Sequence, residues 1–182
     1  MADTMNIQHF RVKLFAAAGA EPDLHQTIPV FHRWIREKRL SETPIDVSDY
    51  LHVPAGPGVI LVCHEAIYGL DLERSRLGLI YNRRAVLDGS NEAKLKQAVD
   101  AVAAAAKSIE AEPEFAGRLR FDRSQWEVVV NDRALAPNTA ATFEALRPAI
   151  TAVFDGMMGK GKYRLSHQPV SGELFRVSVS PV

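Results

Sequence analysis

Cys63, His64 and Glu65 set a thiol, an imidazole and a carboxylate in succession behind the apolar run GVILV. Such a trio would serve a cysteine nucleophile with a neighbouring base, or a metal held through sulfur, nitrogen and oxygen donors. Adjacent strand residues point to opposite faces, however, so His64 is poorly placed to take the Cys63 proton, and a free cysteine commonly packs as a small hydrophobe. The stretch HEAIY begins like a zinc-protease motif, but position 68 is Tyr where a second His is needed one helical turn on. The remaining histidines, His9, His25, His32, His52 and His167, show no paired ligand spacing. GMMGKGKY carries Gly-x-x-x-x-Gly-Lys, yet places Tyr163 where a phosphate loop needs Ser or Thr, and it leaves a helix instead of opening one. A glycine-rich helix end is expected there. No cofactor and no metal site is read from these motifs, and the catalytic residues are unassigned.

Strand register offers a more specific constellation. A hairpin folded symmetrically about Gly56 sets Val53 opposite Val59, Leu51 opposite Leu61, Asp49 opposite Cys63 and Val47 opposite Glu65. A turn centred near Arg74 then sets Glu65 opposite Arg83 and Ile67 opposite Tyr81. On this reading Asp49, Cys63, Glu65 and Arg83 interrupt an otherwise apolar face together, and a slip of one residue would bring Asp49 beside His64 instead. Two explanations fit. Glu65 and Arg83 form a cross-strand ion pair at the sheet margin while Asp49 bonds to backbone; or Asp49, Cys63, His64, Glu65 and Arg83 are a candidate pocket, with a desolvated carboxylate as general base and Arg83 as anchor for an anionic or carbonyl ligand.

The elements that must position these residues follow from periodicity. Residues 1–8 read as a loose end, after which Phe10, Val12 and Leu14 alternate with Arg11 and Lys13 as in a half-buried strand. Thr27 is expected to cap a helix carrying Ile28, Phe31, Trp34 and Ile35. Residues 45–87 read as a three-stranded antiparallel meander broken at 54–58 and 72–76. Ser90 or Asn91 opens a second helix with Leu95, Ala98, Val99, Val102, Ala106 and Ile109 on one stripe. A hairpin is expected with its turn at residues 122–125, then a third helix capped by Asn138 or Thr139 and kinked at Pro148, then a closing hairpin of residues 163–167 and 174–180. The fold class is therefore α+β: an antiparallel sheet with about three helices packed on one face. Residues 1–182 are expected to form a single domain, in which 7–88 and 118–180 also parse as similar strand-helix-hairpin halves of negligible sequence identity.

Composition narrows the partners. The 22 Lys and Arg balance the 22 Asp and Glu, so no overall field draws the chain to phosphate backbones or anionic lipid, and neither nucleic acid nor membrane is an expected partner. One cysteine forms no intramolecular disulfide, and the N-terminus shows no signal-peptide pattern, so a cytoplasmic setting is expected. Two function classes remain: a small-molecule-binding domain or enzyme, and a non-catalytic interaction or homo-oligomeric assembly module, such as a homodimer using a free sheet edge.

The stretch IDVSDYLHVPAGPGVILVCHEAIYGLD, together with RLGLIYNRR, resembles an uncharacterised bacterial protein family whose members carry no assigned activity. The likeness is clearest over residues 45–84. It implies a bacterial origin and brings no catalytic residues with it.

Overall fold

The structure is a computed structural model and describes residues 5–182. Eight strands form one antiparallel sheet: β1 (Phe10–Ala16), β2 (Pro44–Tyr50), β3 (Gly58–Cys63), β4 (Ala66–Asp71), β5 (Gly78–Arg83), β6 (Phe121–Val130), β7 (Tyr163–His167) and β8 (Phe175–Pro181). Their order across the sheet is β2-β3-β4-β5-β1-β6-β8-β7. Three helices, α1 (Thr27–Glu37), α2 (Asn91–Glu110) and α3 (Ala140–Met158), pack against one face. The α+β antiparallel architecture read from the sequence is the one observed. No helix among the described residues is long and apolar enough to cross a membrane.

Period-two alternation separates the faces. The register row Leu61, Tyr68, Tyr81, Val12, Val128, Val177 runs across six strands and is buried under the helices. The next row on the opposite face reads Ser48, Ile60, Gly69, Ile80, Lys13, Glu127, Ser178, Ser166 across all eight. Among the described residues no α-helix covers that face.

The helices begin and end as their caps dictate. The Ser90 hydroxyl accepts from Ala93 N–H, the Thr139 hydroxyl from Thr142 N–H, and the expected α2 stripe is buried. Thr27 does not cap α1: it is the first helical residue, behind a short 3-10 turn capped by Asp23. α3 continues through Pro148, which lies on the exposed side of the helix, where solvent can reach the carbonyl one turn back that proline leaves without a donor. Of the expected loose end, residues 1–4 lie outside the described residues, and the rest is tied down. Ile7 is buried and its N–H donates to Asn91 Oδ1 at 3.1 Å, while Leu87 N–H donates to Gln8 Oε1 at 2.9 Å.

Two strand expectations are corrected. The meander has four strands, because β3 and β4 are separated by a tight turn at His64 and Glu65, with Val62 opposite Ile67. The hairpin expected at residues 122–125 is a bulge inside β6: Leu14 pairs with Trp126 and Ala16 with Phe121, so four β6 residues oppose Phe15. Asp122 fixes the bulge by accepting from Ser124 N–H and from its hydroxyl, the same local bonding that Asp uses in turns.

Candidate functional site

The five residues singled out from the sequence are distributed among several environments. Two successive turns, closed by Val53 N–H to Tyr50 O at 2.9 Å and Gly56 N–H to Val53 O at 3.1 Å, displace the first hairpin's register. Asp49 therefore faces Val59, and Cys63 faces Pro44. Gly58 enforces this entry into β3: it holds φ +65°, and a Cβ there would sit 2.0 Å from Leu70 O. Asp49 is exposed and accepts from Leu51 N–H. Cys63 is fully buried, and burial, reinforced by Glu42 and Glu65, pushes its thiol up to about 12, which removes thiolate chemistry. His64 is exposed in the β3–β4 turn. Glu65 accepts from Thr43 N–H at 2.9 Å, a bond that holds its carboxyl below the ordinary range, and so ties the start of β2 to that turn. Arg83 faces Ala66 instead of Glu65, and its guanidinium donates to Ala85 O, Tyr81 Oη and Val86 O. Neither Asp49 nor Arg83 is joined to the other three by a side-chain hydrogen bond or ion pair among the described residues.

A denser set of charges converges on the helix-free face. Arg11 of β1 and Arg176 of β8 flank Val129 of β6 in one row, and Lys13, Glu127 and Ser178 form the next. Residues 72–77, joining β4 to β5, fold over these rows through a short 3-10 turn, Glu73–Ser75. The Glu73 carboxylate accepts from Arg11 and, at 2.9 Å, from Arg176, so it spans β6. Arg176 also donates to Glu127. Burial works to raise the Glu73 carboxyl, but Arg11 and Arg176 hold it below the ordinary range. Burial likewise opposes the Arg176 charge, yet Glu127 and Glu73 hold it above the usual guanidinium value.

Lys13 is the deepest cation on this face, 1% exposed, with Nζ 2.5 Å from Asp71 and 2.6 Å from Arg76 O. Burial pulls its amine down and Asp71 partly restores it. The side chain reaches Asp71 by crossing Gly78, where a Cβ would stand 2.6 Å from Lys13 Cε. The covering loop is held at its tip as well. Arg74 donates to Glu173 at 2.5 Å, and the Arg76 guanidinium lies 3.6 Å from the Phe15 ring centroid while donating to Gln125 at 2.9 Å. Arg74 and Ser75 both adopt positive φ, 58° and 56°, a conformation that costs non-glycine residues roughly 1 kcal/mol or more each and that these anchors sustain.

Beneath and beside the loop lie two small hollows. One, about 170 Å³, gathers Lys13, Arg74, Arg76 and Arg176 against Glu73 and Glu127; the other, about 190 Å³, is lined by Arg74, Arg176 and Glu173 with neutral polar side chains. Both include Arg74, Arg176 and Ser178. The Nε atoms of Arg11 and Arg176 are buried without an acceptor. Arg176, which lines both hollows, therefore keeps a guanidinium donor with spare capacity that suits an incoming anion. The wider groove between α3 and β7, about 440 Å³, has no such convergence. No group of three or more His, Cys, Asp or Glu side chains among the described residues would hold a metal ion.

Sequence reading missed this site because Arg11 and Lys13 alternate with Phe10, Val12 and Leu14 as solvent-facing residues do. The chain matches no known protein-family model, and no curated protein is significantly similar to it.

Proposed function

We propose that the protein binds a small anionic ligand on the open sheet face, under the loop of residues 72–77. The observation that carries this reading is the hollow where Lys13, Arg74, Arg76 and Arg176 converge, in which Arg76 has no carboxylate partner among the described residues and the buried Arg176 Nε still lacks an acceptor. Opposed charges of this density hold guanidinium groups in fixed orientations, so the donors need little reordering when an anion enters. The ion-paired Glu73 and Glu127 supply no free base, which makes the reading one of binding and not catalysis. Balanced overall charge supports a small solute over nucleic acid as partner, and the lone thiol suits a cytoplasmic setting.

Thermal denaturation at constant ionic strength with phosphate, sulfate and small carboxylates tests the proposal. An anion at about 100 times its Kd adds about 2.7 kcal/mol, which raises Tm by several degrees. Arg74→Ala, which removes a cation common to both hollows but only an exposed ion pair, is expected to abolish the increment. An equal increment in the variant would refute this location.

A second reading, pairing with another copy of the chain, is favoured by the aliphatic side chains Ile60, Val62 and Ile67, half-buried on the same helix-free face. Light scattering that gives a dimer mass, reduced to the monomer by Ile67→Lys, would support it; a monomer at every concentration would remove it.

A further inference from the structure

We propose that the ligand is a sugar phosphate, its phosphate among Arg74, Arg76 and Arg176 and its hydroxyls in the adjoining hollow against Asn138, Ser166 and Gln168. This rests on the anion-binding reading above and assigns the chemical class that reading leaves open.

The two hollows differ in a way that a bare anion would not use. Around the first, Lys13 is paired with Asp71, Arg74 with Glu173 and Arg176 with Glu73 and Glu127, so that Arg76 alone of the four cations has no carboxylate partner among the described residues; with the unfilled Arg176 Nε it offers donors to a phosphomonoester. Around the second, Glu173 offsets Arg74, Arg176 is engaged by Glu73 and Glu127, and the rest of the lining is amide, hydroxyl and the single aliphatic Val170. Amides and hydroxyls both donate and accept, as recognition of neighbouring sugar hydroxyls requires. One of them is held ready: Asn138 Nδ2 donates to Gln168 O at 3.3 Å and Val170 O at 3.2 Å, which leaves Oδ1 buried without a donor. A ligand hydroxyl would supply it. Ser166 and Ser178 are cross-strand partners on this face and put two more hydroxyls at the same place.

Size points the same way. At about 170 and 190 Å³ each hollow alone is smaller than the roughly 300–1,000 Å³ of ordinary small-molecule sites, whereas the two in line reach its lower end. A phosphate fills one and a pentose the other.

Isothermal titration at constant ionic strength with inorganic phosphate, a pentose 5-phosphate, the unphosphorylated pentose and the corresponding sugar acid tests the assignment. The pentose phosphate is expected to bind on the order of 10-fold tighter than inorganic phosphate, the gain of about two hydrogen bonds. Ser166→Ala and Asn138→Ala, made separately in case one disturbs folding, are expected to erase that margin and leave phosphate affinity unchanged. Equal binding of phosphate and pentose phosphate would overturn the sugar assignment while the anion site stands. Tighter binding of the sugar acid would overturn the choice of phosphate as the anionic group. Binding of none of the four would remove the site itself.

Discussion

The helix-free face is two surfaces built on one pleat. Over β3, β4 and β5 it presents Ile60, Val62, Ile67, Gly69 and Ile80; over β1, β6 and β8 the same rows continue as Lys13 and Glu127, Arg11 and Arg176. Both halves have the same strand spacing and lack helix cover. They differ in what lies above them, since residues 72–77 fold across the charged half and bring Glu73 and the Arg76 carbonyl to it, beside Asp71 at the end of β4. The charged rows on central strands are thereby largely withdrawn from water and ion-paired, with Arg11 Nε and Arg176 Nε left without an acceptor, while the aliphatic half rests on its own side chains. Polar interactions on this face are therefore position-critical, and apolar ones are forgiving.

The largest expected effect strikes the deepest pair. Asp71→Ala leaves the Lys13 ammonium buried without its counter-ion and should destabilise by about 3–5 kcal/mol, read from urea denaturation. The double change Lys13→Met with Asp71→Leu should recover most of that loss, because the desolvation of both charges goes with them. A loss from Asp71→Ala no greater than that of an exposed pair would collapse the distinction between the halves.

Two glycines make a sharper comparison, Gly78 at the start of β5 against the Lys13 side chain and Gly69 of β4 among the aliphatic residues. Gly78→Ala puts a Cβ 2.6 Å from Lys13 Cε and 2.7 Å from Leu14 O and should cost about 1–3 kcal/mol. At Gly69 the nearest atoms are Ile60 Cγ2 at 3.0 Å and Val59 O at 3.2 Å, so Gly69→Ala should cost about 1 kcal/mol or less. Equal losses from the two variants would contradict the account.

Acid should weaken the charged half first. The folded Glu73 carboxyl titrates below its unfolded value, so its contribution is present above about pH 4.3 and disappears as pH falls through the lowered folded value. Glu73→Gln should accordingly flatten the acid limb of a stability profile; an unchanged limb would show that Arg11 and Arg176 do not depend on that charge. The smallest effect belongs to the loop tip. Arg74 and Glu173 are about half exposed, at 53% and 47%, and Arg74→Ala should change stability by no more than about 1 kcal/mol while removing anion binding.

Much of the scaffold could be read from local pattern. The alanine-rich stripe and Ser90 cap of α2, the alternation in β1 and the closing β7–β8 hairpin each carry their signal within a few residues. The misread elements share a cause. β3 and β4 run apolar on both sides of His64 and Glu65, so no polar interruption longer than a two-residue turn marks the break. Asp122 and Ser124 bond to local backbone equally in a turn and in a bulge, which made β6 look like a hairpin. The proposed pocket at Asp49, Cys63, His64, Glu65 and Arg83 depended on a symmetric turn at Gly56, and Gly58, with its positive φ against Leu70 O, sets another register. Arg11 and Lys13 acquire their role only from β1 lying between β5 and β6 and from a distant loop arriving above them. That information is tertiary, and a charged alternation on a strand does not distinguish a wet face from a covered one.

An amide correlation spectrum recorded through a phosphate titration tests the central claim most directly. The resonances of Lys13, residues 73–76, Arg176 and Ser178 are expected to move together along one saturable isotherm, with those of Ile60 and Ile67 unmoved. Shifts confined to another surface, or none at concentrations that saturate ordinary anion sites, would contradict it.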